Sequence, residues 1–580
     1  MSDTEVIENS KRTKKKIKSE DSFGTENLFK LILKIVTPTV IMMMFVGLYN
    51  VTDALIAAWI IPDNAELNLT IEEVISAGAF NSNLVSLSLI IATMVNVGAE
   101  VRYAMLLSKG KHDEAQKLMG SSFISTVTIS TLVAIFLVTC SGPLSKVQNG
   151  GVGGDAVDQA RMYTQIESIW VLFNAIYDLL LRFLRVEGKS AKAAIIGSFA
   201  LPINILFDFI FMGLLGMDLR GAGWASVIAE AITIIVSFSY VFYLRNKNET
   251  NMFAKKSDFK FEWKYVSVAV AIGMPILFRS ITQSIDNFAI TSFSTQLSVP
   301  GNIATESGGV LITSSDGVQT EISSNEFYAT TIAIYTEIYA LMFLMMQGVV
   351  QGVGSIVSFN YGQKKYDRVR KATFIAFGYM IVLITSLAII VSTQMEGVFN
   401  IFSIDNYPKE AYTYVSIVML RVVIISITYI PFGFLISTKQ TSQSYIFVFI
   451  ESILIFFTIS PIFLAIFKDN PNGYIYFGLS FSIGEILFAI LLAPFFFKDI
   501  NNIDEIAYQQ KLHSLYDKEH GGNMTIDNSI ALTYSHFIDN IKDYIYKIKH
   551  PTQKKKRIIE RNEEIKELKK IRKELERNKK

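Results

Sequence analysis

Polar and apolar positions alternate along this chain on a scale of tens of residues: long apolar blocks are separated by short polar ones. A helix needs about 20 apolar residues to cross a bilayer, so blocks of this length read as membrane spans. They predict helices near 31–60, 77–105, 120–140, 165–184, 191–215 and 222–244, then near 266–293, 328–358, 373–393, 411–436, 442–467 and 473–497. The polar stretch Arg245–Lys264 divides the twelve into two sixes. The expected fold is an all-α integral membrane protein, with twelve transmembrane helices in two six-helix lobes related by a pseudo-two-fold axis along the membrane normal. The expected units are a Lys-rich tail at 1–29, a lobe at 30–244, a linker at 245–264, a second lobe at 265–497 and a charged, partly helical tail at 498–580.

Internal similarity supports the two sixes. Gly110 in SKGKHDEAQKLMGSSF matches Gly362 in NYGQKKYDRVRKATF, 252 residues on, and Phe183 in FLRVEGKSAKAAI matches Phe434 in FLISTKQTSQSYI, 251 residues on. Pro38 pairs with Pro275 at an offset of only 237, and the difference falls in the loop after the seventh span. Six spans return the chain to its starting side, so the copies share one orientation, a known transporter arrangement. Loop charge supplies the sidedness. Ser108–Lys117, Arg185–Lys192, Arg245–Lys260 and Tyr361–Lys371 are rich in Lys and Arg, whereas Ile61–Phe80 and Ser294–Tyr328 contain neither. By the positive-inside rule the basic loops, the linker and both termini are cytoplasmic, and Ser294–Tyr328 is outside.

Composition agrees with this reading. The chain is 51% hydrophobic and 18% charged, against roughly 25% charged in soluble domains. A formal net charge of +2 argues against a nucleic-acid partner. The single cysteine, Cys140, rules out an intrachain disulfide. At the far end, Ile558, Ile565, Leu568 and Leu575 recur at heptad-like spacing and predict a helix, either solvated and partly frayed, or in a short coiled coil, or attached to anionic lipid. Gly188-Lys189-Ser190 is not a phosphate-cradling loop, because Phe183 stands where the pattern requires glycine. No histidine falls in a span, so neither an enzyme nor a metal-centred or cofactor-based chemistry is expected inside the membrane.

Ionisable residues inside spans are functional candidates, since a charge in lipid costs several kcal/mol. Asn50 and Asp53 share one face of the first span. Asn204 and Asp208 lie one turn apart in the fifth, close to Pro202, which weakens the helix there. Ser226 and Glu230 are one turn apart in the sixth. Arg279, Gln283 and Asp286 form one stripe on the seventh, with Arg279 expected to pair with Asp286 or with Glu337 of the eighth, or else to meet substrate. Arg421, Glu451 and Glu485 are further buried-charge candidates.

GLYNVTDAL, VGAEVRYAMLLSKGKHDEA, FLRVEGKSAKAA, NILFDFIF with GAGWAS, and QGVGSIVSFNYGQKKYDRV resemble, in this order over roughly 30–497, the recurring patterns of the multidrug and toxic compound extrusion (MATE) family. The resemblance implies an antiporter of the plasma membrane that exports organic cations or amphiphilic drugs in exchange for protons or sodium ions, by alternating access. It implies Asp53, Asn204, Asp208 and Ser226 as the cation-coupling residues, Ser226 standing where related proteins often have threonine, with no metal site other than a sodium ion at Asp53, Asn204 and Asp208 if sodium rather than a proton is the coupling ion. Asn50, Glu230, Arg279, Gln283, Asp286 and Glu337 are then expected to face the cavity or the substrate. Such a protein needs no cofactor and works among membrane lipids as a monomer. The alternative is a lipid-linked oligosaccharide or lipid flippase of the same superfamily. A flippase for anionic pyrophosphate lipids should line its groove with Arg and Lys, and the spans here hold few, notably Arg279 and Arg421.

Overall fold

The computed structural model describes residues 23–507, apart from 62–68, 70, 149–152, 254–258, 307, 314–318, 402–406 and 505. The first lobe comprises α1 (Leu28–Ile60), α2 (Ile71–Ser108), α3 (His112–Gln148), α4 (Asp155–Val186), α5 (Ser190–Ser198), α6 (Ala200–Asp208) and α7 (Leu219–Asn246). The second comprises α8 (Trp263–Ser294), α9 (Ser324–Gly362), α10 (Tyr366–Thr393), the short α11 (Met395–Ile401), α12 (Lys409–Ser437), α13 (Thr441–Leu454), α14 (Ser460–Phe467) and α15 (Gly473–Asn501). Eleven stretches of these are long and apolar enough to cross a membrane. The twelfth span is α4, 32 residues long, whose apolar run is broken by Glu167, Asp178, Arg182 and Arg185. Large apolar side chains such as Leu132, Ile135, Ile389, Phe457 and Ile490 point outward, as a lipid-facing surface requires.

The helices overrun the predicted spans because an α-helix keeps its backbone bonded internally beyond the hydrocarbon. Asn27 starts α1 by accepting from the Phe29 and Lys30 amides at 3.0 and 3.3 Å. The fifth span of each lobe is interrupted. In the first lobe the Pro202 ring would clash with the carbonyl four residues back, at Ser198, and α5 ends there. The chain restarts as α6 and then widens into a π-helical turn, Phe209–Leu214. In the second lobe a π-helical turn at Ile455–Ile459 separates α13 from α14.

The lobes meet most tightly at the end that carries the basic loops. A Cβ on Gly98 of α2 would sit 1.8 Å from the Ala269 carbonyl oxygen of α8, and one on Gly273 of α8 would sit 2.0 Å from the Met94 carbonyl oxygen. Gly348 and Gly352 of α9 stand equally close to Val40 and Val36 of α1, with 2.9 Å from each imagined Cβ to the facing Cα. Glycine is required at these four places because backbone approaches backbone. Arg185 of α4 also reaches across, donating to Gln351 Oε1 of α9 at 3.1 Å.

One element departs from the all-helical expectation. Within the loop after the seventh span, β1 (Val310–Thr313) and β2 (Gln319–Ile322) form an antiparallel hairpin, with Val310 opposite Ile322. The Asp316-Gly317 pair between two short alternating runs is a hairpin signal, but a loop read only for its missing positive charge does not reveal it. The heptad-like segment at the far end lies outside the described residues.

Candidate functional site

Two carboxylates converge in the first lobe. Asp53 comes from α1, Asn204 and Asp208 from α6, and Ser226 from α7, and all four are buried. The interruption at Pro202 makes α6 a nine-residue piece whose two polar residues, one turn apart, face Asp53. Ser226 Oγ donates to Asp53 Oδ2 at 3.2 Å. Among the described residues, Asp53 Oδ1, both Asp208 oxygens and both polar atoms of Asn204 lie near one another yet have no partner in hydrogen-bonding geometry. A buried polar group without a partner is costly, and two neighbouring carboxylates repel. One proton or one small monovalent cation among these oxygens offsets both terms. Ile56, Leu69, Val74, Tyr163, Met212 and Leu219 pack together beyond this point toward the end of α1, and they keep that flank apolar.

A polar stripe on α4 extends the site, and the sequence reading missed it. Glu167 is buried and accepts from Asn81 Nδ2 at 2.7 Å, while Asn81 Oδ1 accepts from Thr164 at 2.8 Å. Two turns along, Asn174 donates to Glu230 Oε1 of α7 at 2.8 Å. These two line a small cavity with Phe45, Tyr49, Trp170 and Tyr177. Nearer the basic loops, Arg182 donates to Asp178 at 2.7 Å and to Glu100 at 2.9 Å, and Asn96 donates to Asp178 at 2.9 Å. The spacing of Glu167, Asn174, Asp178, Arg182 and Arg185 at steps of 7, 4, 4 and 3 was the available signal, a single helical face drawn in polar residues.

The second lobe gathers a different set. Arg279 of α8 pairs with Glu451 of α13, not with Asp286 or Glu337. A long arginine extends across to the neighbouring helix more easily than along its own by two turns. Asp286 instead faces Arg421 of α12 at 3.6 Å, and Arg421 Nε donates to Glu485 Oε1 of α15 at 3.1 Å. The Arg421 guanidinium also lies over the Phe456 ring, 4.9 Å from its centroid. Gln283 is half-buried, Glu337 is exposed, and the side chain of Asn50 lies outside the described residues. Glu337 lies one turn from Leu341, which packs against Gly47 of α1.

Comparison with known proteins agrees with this architecture. The MatE family profile matches residues 38–210 and 328–462, more than half of the chain. The chain belongs to the MATE family of membrane transporters. It is 22% identical over 533 residues to an uncharacterised protein of Mycoplasmoides gallisepticum, covering 78% of this chain and 86% of that one. It is 20% identical over 288 residues to the multidrug export protein MepA of Staphylococcus haemolyticus, covering 50% of this chain and 60% of MepA. A solved outward-facing MATE family multidrug resistance transporter superposes with a TM-score of 0.70 at 16% identity, covering 83% of this chain and 98% of the other; at that identity the likeness concerns the fold alone. As a MATE transporter the chain is a multi-pass membrane protein that handles small molecules, uses no cofactor and couples to an ion gradient.

Proposed function

We propose that this MATE transporter is a secondary antiporter of the plasma membrane, exporting amphiphilic organic cations in exchange for protons or sodium ions. The observation that carries the reading is the meeting of Asp53 and Asp208, from two helices, with oxygens left unsatisfied by neutral partners. Asn204 and Ser226 supply the remaining oxygen donors, so a cation with one positive charge fits the set. Uptake of the ion favours the arrangement of α1, α6 and α7 that encloses it, and substrate favours the other arrangement; each ligand therefore promotes release of its counterpart. Glu337, exposed on α9, is a fitting carboxylate for the cationic substrate, and Glu230 of the first lobe and Gln283 and Asp286 of the second are further candidates for it. A flippase for anionic lipids is disfavoured because Arg279 and Arg421 are both engaged by carboxylates.

The test is transport of a fluorescent lipophilic cation in vesicles carrying either a pH gradient or a sodium gradient. One of the two gradients should drive flux; if neither does, the antiporter reading fails. Orientation, with the basic loops in the cytoplasm, is checked in a Cys140→Ser background. A cysteine at Gly301 should react with an impermeant thiol reagent in intact cells, and one at Lys247 should not.

A further inference from the structure

Five helices end at the basic face with the same backbone device. Each is followed by a residue of positive φ: Gly110 at 66°, Gly188 at 78° and Asn248 at 54° in the first lobe, Lys364 at 60° and Lys439 at 63° in the second. In each case the next amide reaches back to the carbonyl five residues earlier. The five bonds are Lys111 to Leu106 at 3.0 Å, Lys189 to Leu184 at 2.9 Å, Glu249 to Leu244 at 2.9 Å, Lys365 to Asn360 at 2.9 Å and Gln440 to Leu435 at 2.7 Å. This place in a helix ending is normally filled by glycine, because a Cβ in the left-handed region crowds the next carbonyl oxygen. The first lobe uses glycine twice and asparagine, which also tolerates this region, once; the second lobe uses lysine both times. A general excess of positive charge on the cytoplasmic side explains lysine in the loops, but not lysine at the two backbone positions least suited to it.

Both lysines face the partner lobe. The turn holding Lys364 lies directly on the end of α2, where a Cβ on Gly362 would sit 2.0 Å from Ser108 Oγ. Lys439 lies within electrostatic reach of Arg102 of α2 and of Lys109 just after it, and Lys109 within reach of Lys364. Burial, with those two cations alongside, pushes the Lys439 ammonium down to about 7. Of the other charged groups here, Lys111 and Lys264 add positive charge; the Glu114 carboxylate is within electrostatic reach of Arg102 and Lys109 but is bonded by Lys111 at 2.5 Å, and it is one negative charge among these cations. Among the described residues, Arg102, Lys109, Lys364 and Lys439 have no ion-pair partner. Closing the lobes at this end thus brings together two cations from each, against the grain of both backbone and charge. Something negative must offset this, and a phosphate group, with several oxygens that accept from several cations at once, suits four donors spread over two surfaces.

We propose that the seam formed by Arg102 and Lys109 of one lobe and Lys364 and Lys439 of the other binds a phosphate-bearing anion, which bridges the lobes and holds the basic end closed. Its source is either the headgroup of an anionic phospholipid, at the depth where α2 leaves the membrane, or a soluble phosphate. Because the anion contacts both lobes only while they touch, it binds the closed arrangement more tightly and shifts the population toward it. The inference does not depend on which ion drives transport.

The experiment measures lobe separation by electron-spin distance between labels at Lys117→Cys and Lys371→Cys in a Cys140→Ser background. The protein is held in nanodiscs of phosphatidylcholine alone, of phosphatidylcholine with phosphatidylglycerol, or of phosphatidylcholine with added inorganic phosphate or pyrophosphate. The expected result is a several-fold rise in the short-distance population with one of these anions: in phosphatidylglycerol discs if the source is lipid, with added phosphate if it is soluble. Lys439→Gly and Lys364→Gly should lose that response while melting at the same or a higher temperature, since glycine suits both turns; Arg102→Gln should lose it as well. No response to either source overturns the proposal. So does an equal response to chloride at matched ionic strength, or a full response in the Lys364→Gly, Lys439→Gly double variant.

Discussion

The two lobes repeat one helix plan and each buries an arginine–carboxylate cluster, Arg182 with Asp178 and Glu100 in the first and Arg421 with Glu485 and Asp286 in the second, but among the described residues the first also holds a carboxylate pair, Asp53 and Asp208, with no cation beside it. In the first lobe, Asp53 accepts from the Ser226 hydroxyl, while its other oxygen and both Asp208 oxygens are unsatisfied. In the second, Glu451 and Glu485 each meet an arginine, Arg421 also stands 3.6 Å from Asp286, and the arrangement resembles a structural ion-pair cluster. A carboxylate with a neutral partner changes its interactions whenever a proton or cation arrives; one held by a fixed guanidinium has its counter-charge already. The contrast supports the proposal that the Asp53 and Asp208 pair of the first lobe, rather than the Arg421 cluster of the second, takes up the coupling ion.

The sharpest way to break this comparison is to neutralise one carboxylate per lobe. Asp208→Asn and Asp53→Asn keep volume and hydrogen-bonding capacity, and gradient-driven export should fall to background at unchanged expression. Asp286→Asn should leave most of the flux or alter which cations are carried; an equal collapse there would erase the distinction between the lobes. Next in size is Arg421→Met. It strands Glu485 and Asp286, and losing one member of a buried ion pair costs about 3–5 kcal/mol, to be read as a lowered melting temperature in detergent. Adding Glu485→Gln should recover part of the loss. No such penalty should attend Asp208→Asn, since no cation is abandoned.

Smaller effects test the contact between lobes. Gly273→Val places side-chain carbons against the Met94 carbonyl, and overpacking of this kind costs about 1–3 kcal/mol. It should lengthen the distance between labels at the basic end rather than unfold either lobe. Smallest is Glu187→Gln. Glu187 follows α4, accepts from Tyr103 Oη at 2.9 Å and the Asn251 amide at 2.8 Å, and ties the linker to the first lobe. Burial raises its pKa, but Lys189, Thr250 and the Asn251 amide outweigh that and hold it below the usual carboxylate value. A depressed carboxylate pKa stabilises the fold at pH above the unfolded value of about 4.3 and ceases to do so as pH falls through the folded value. The variant should therefore melt lower than the parent at pH 7 and converge with it in acid.

How much of this was legible in advance varies with the residue. Asn204 and Asp208 were readable as a pair because one helical turn separates them, and Pro202 marked the break beside them. Glu167, Asn174 and Asp178 were passed over because their span was read for the length of its apolar block, and a block counted along the chain hides a stripe that runs down one face. Arg279 illustrates a different limit: its partner Glu451 lies 172 positions away, and nothing local to either residue names the other.

The sequence alone determined the class of solvent, the number of spans, the two-fold repetition and the family, because apolar block length and loop charge are local properties that lipid reads directly. Tertiary structure alone decided which buried charges are neutralised, where the lobes touch through glycine, and that Lys364 and Lys439 occupy left-handed turns facing a cationic surface. Those depend on which helix lies beside which and at what height, and a side chain's partner across a bundle is set by packing geometry that no single segment contains.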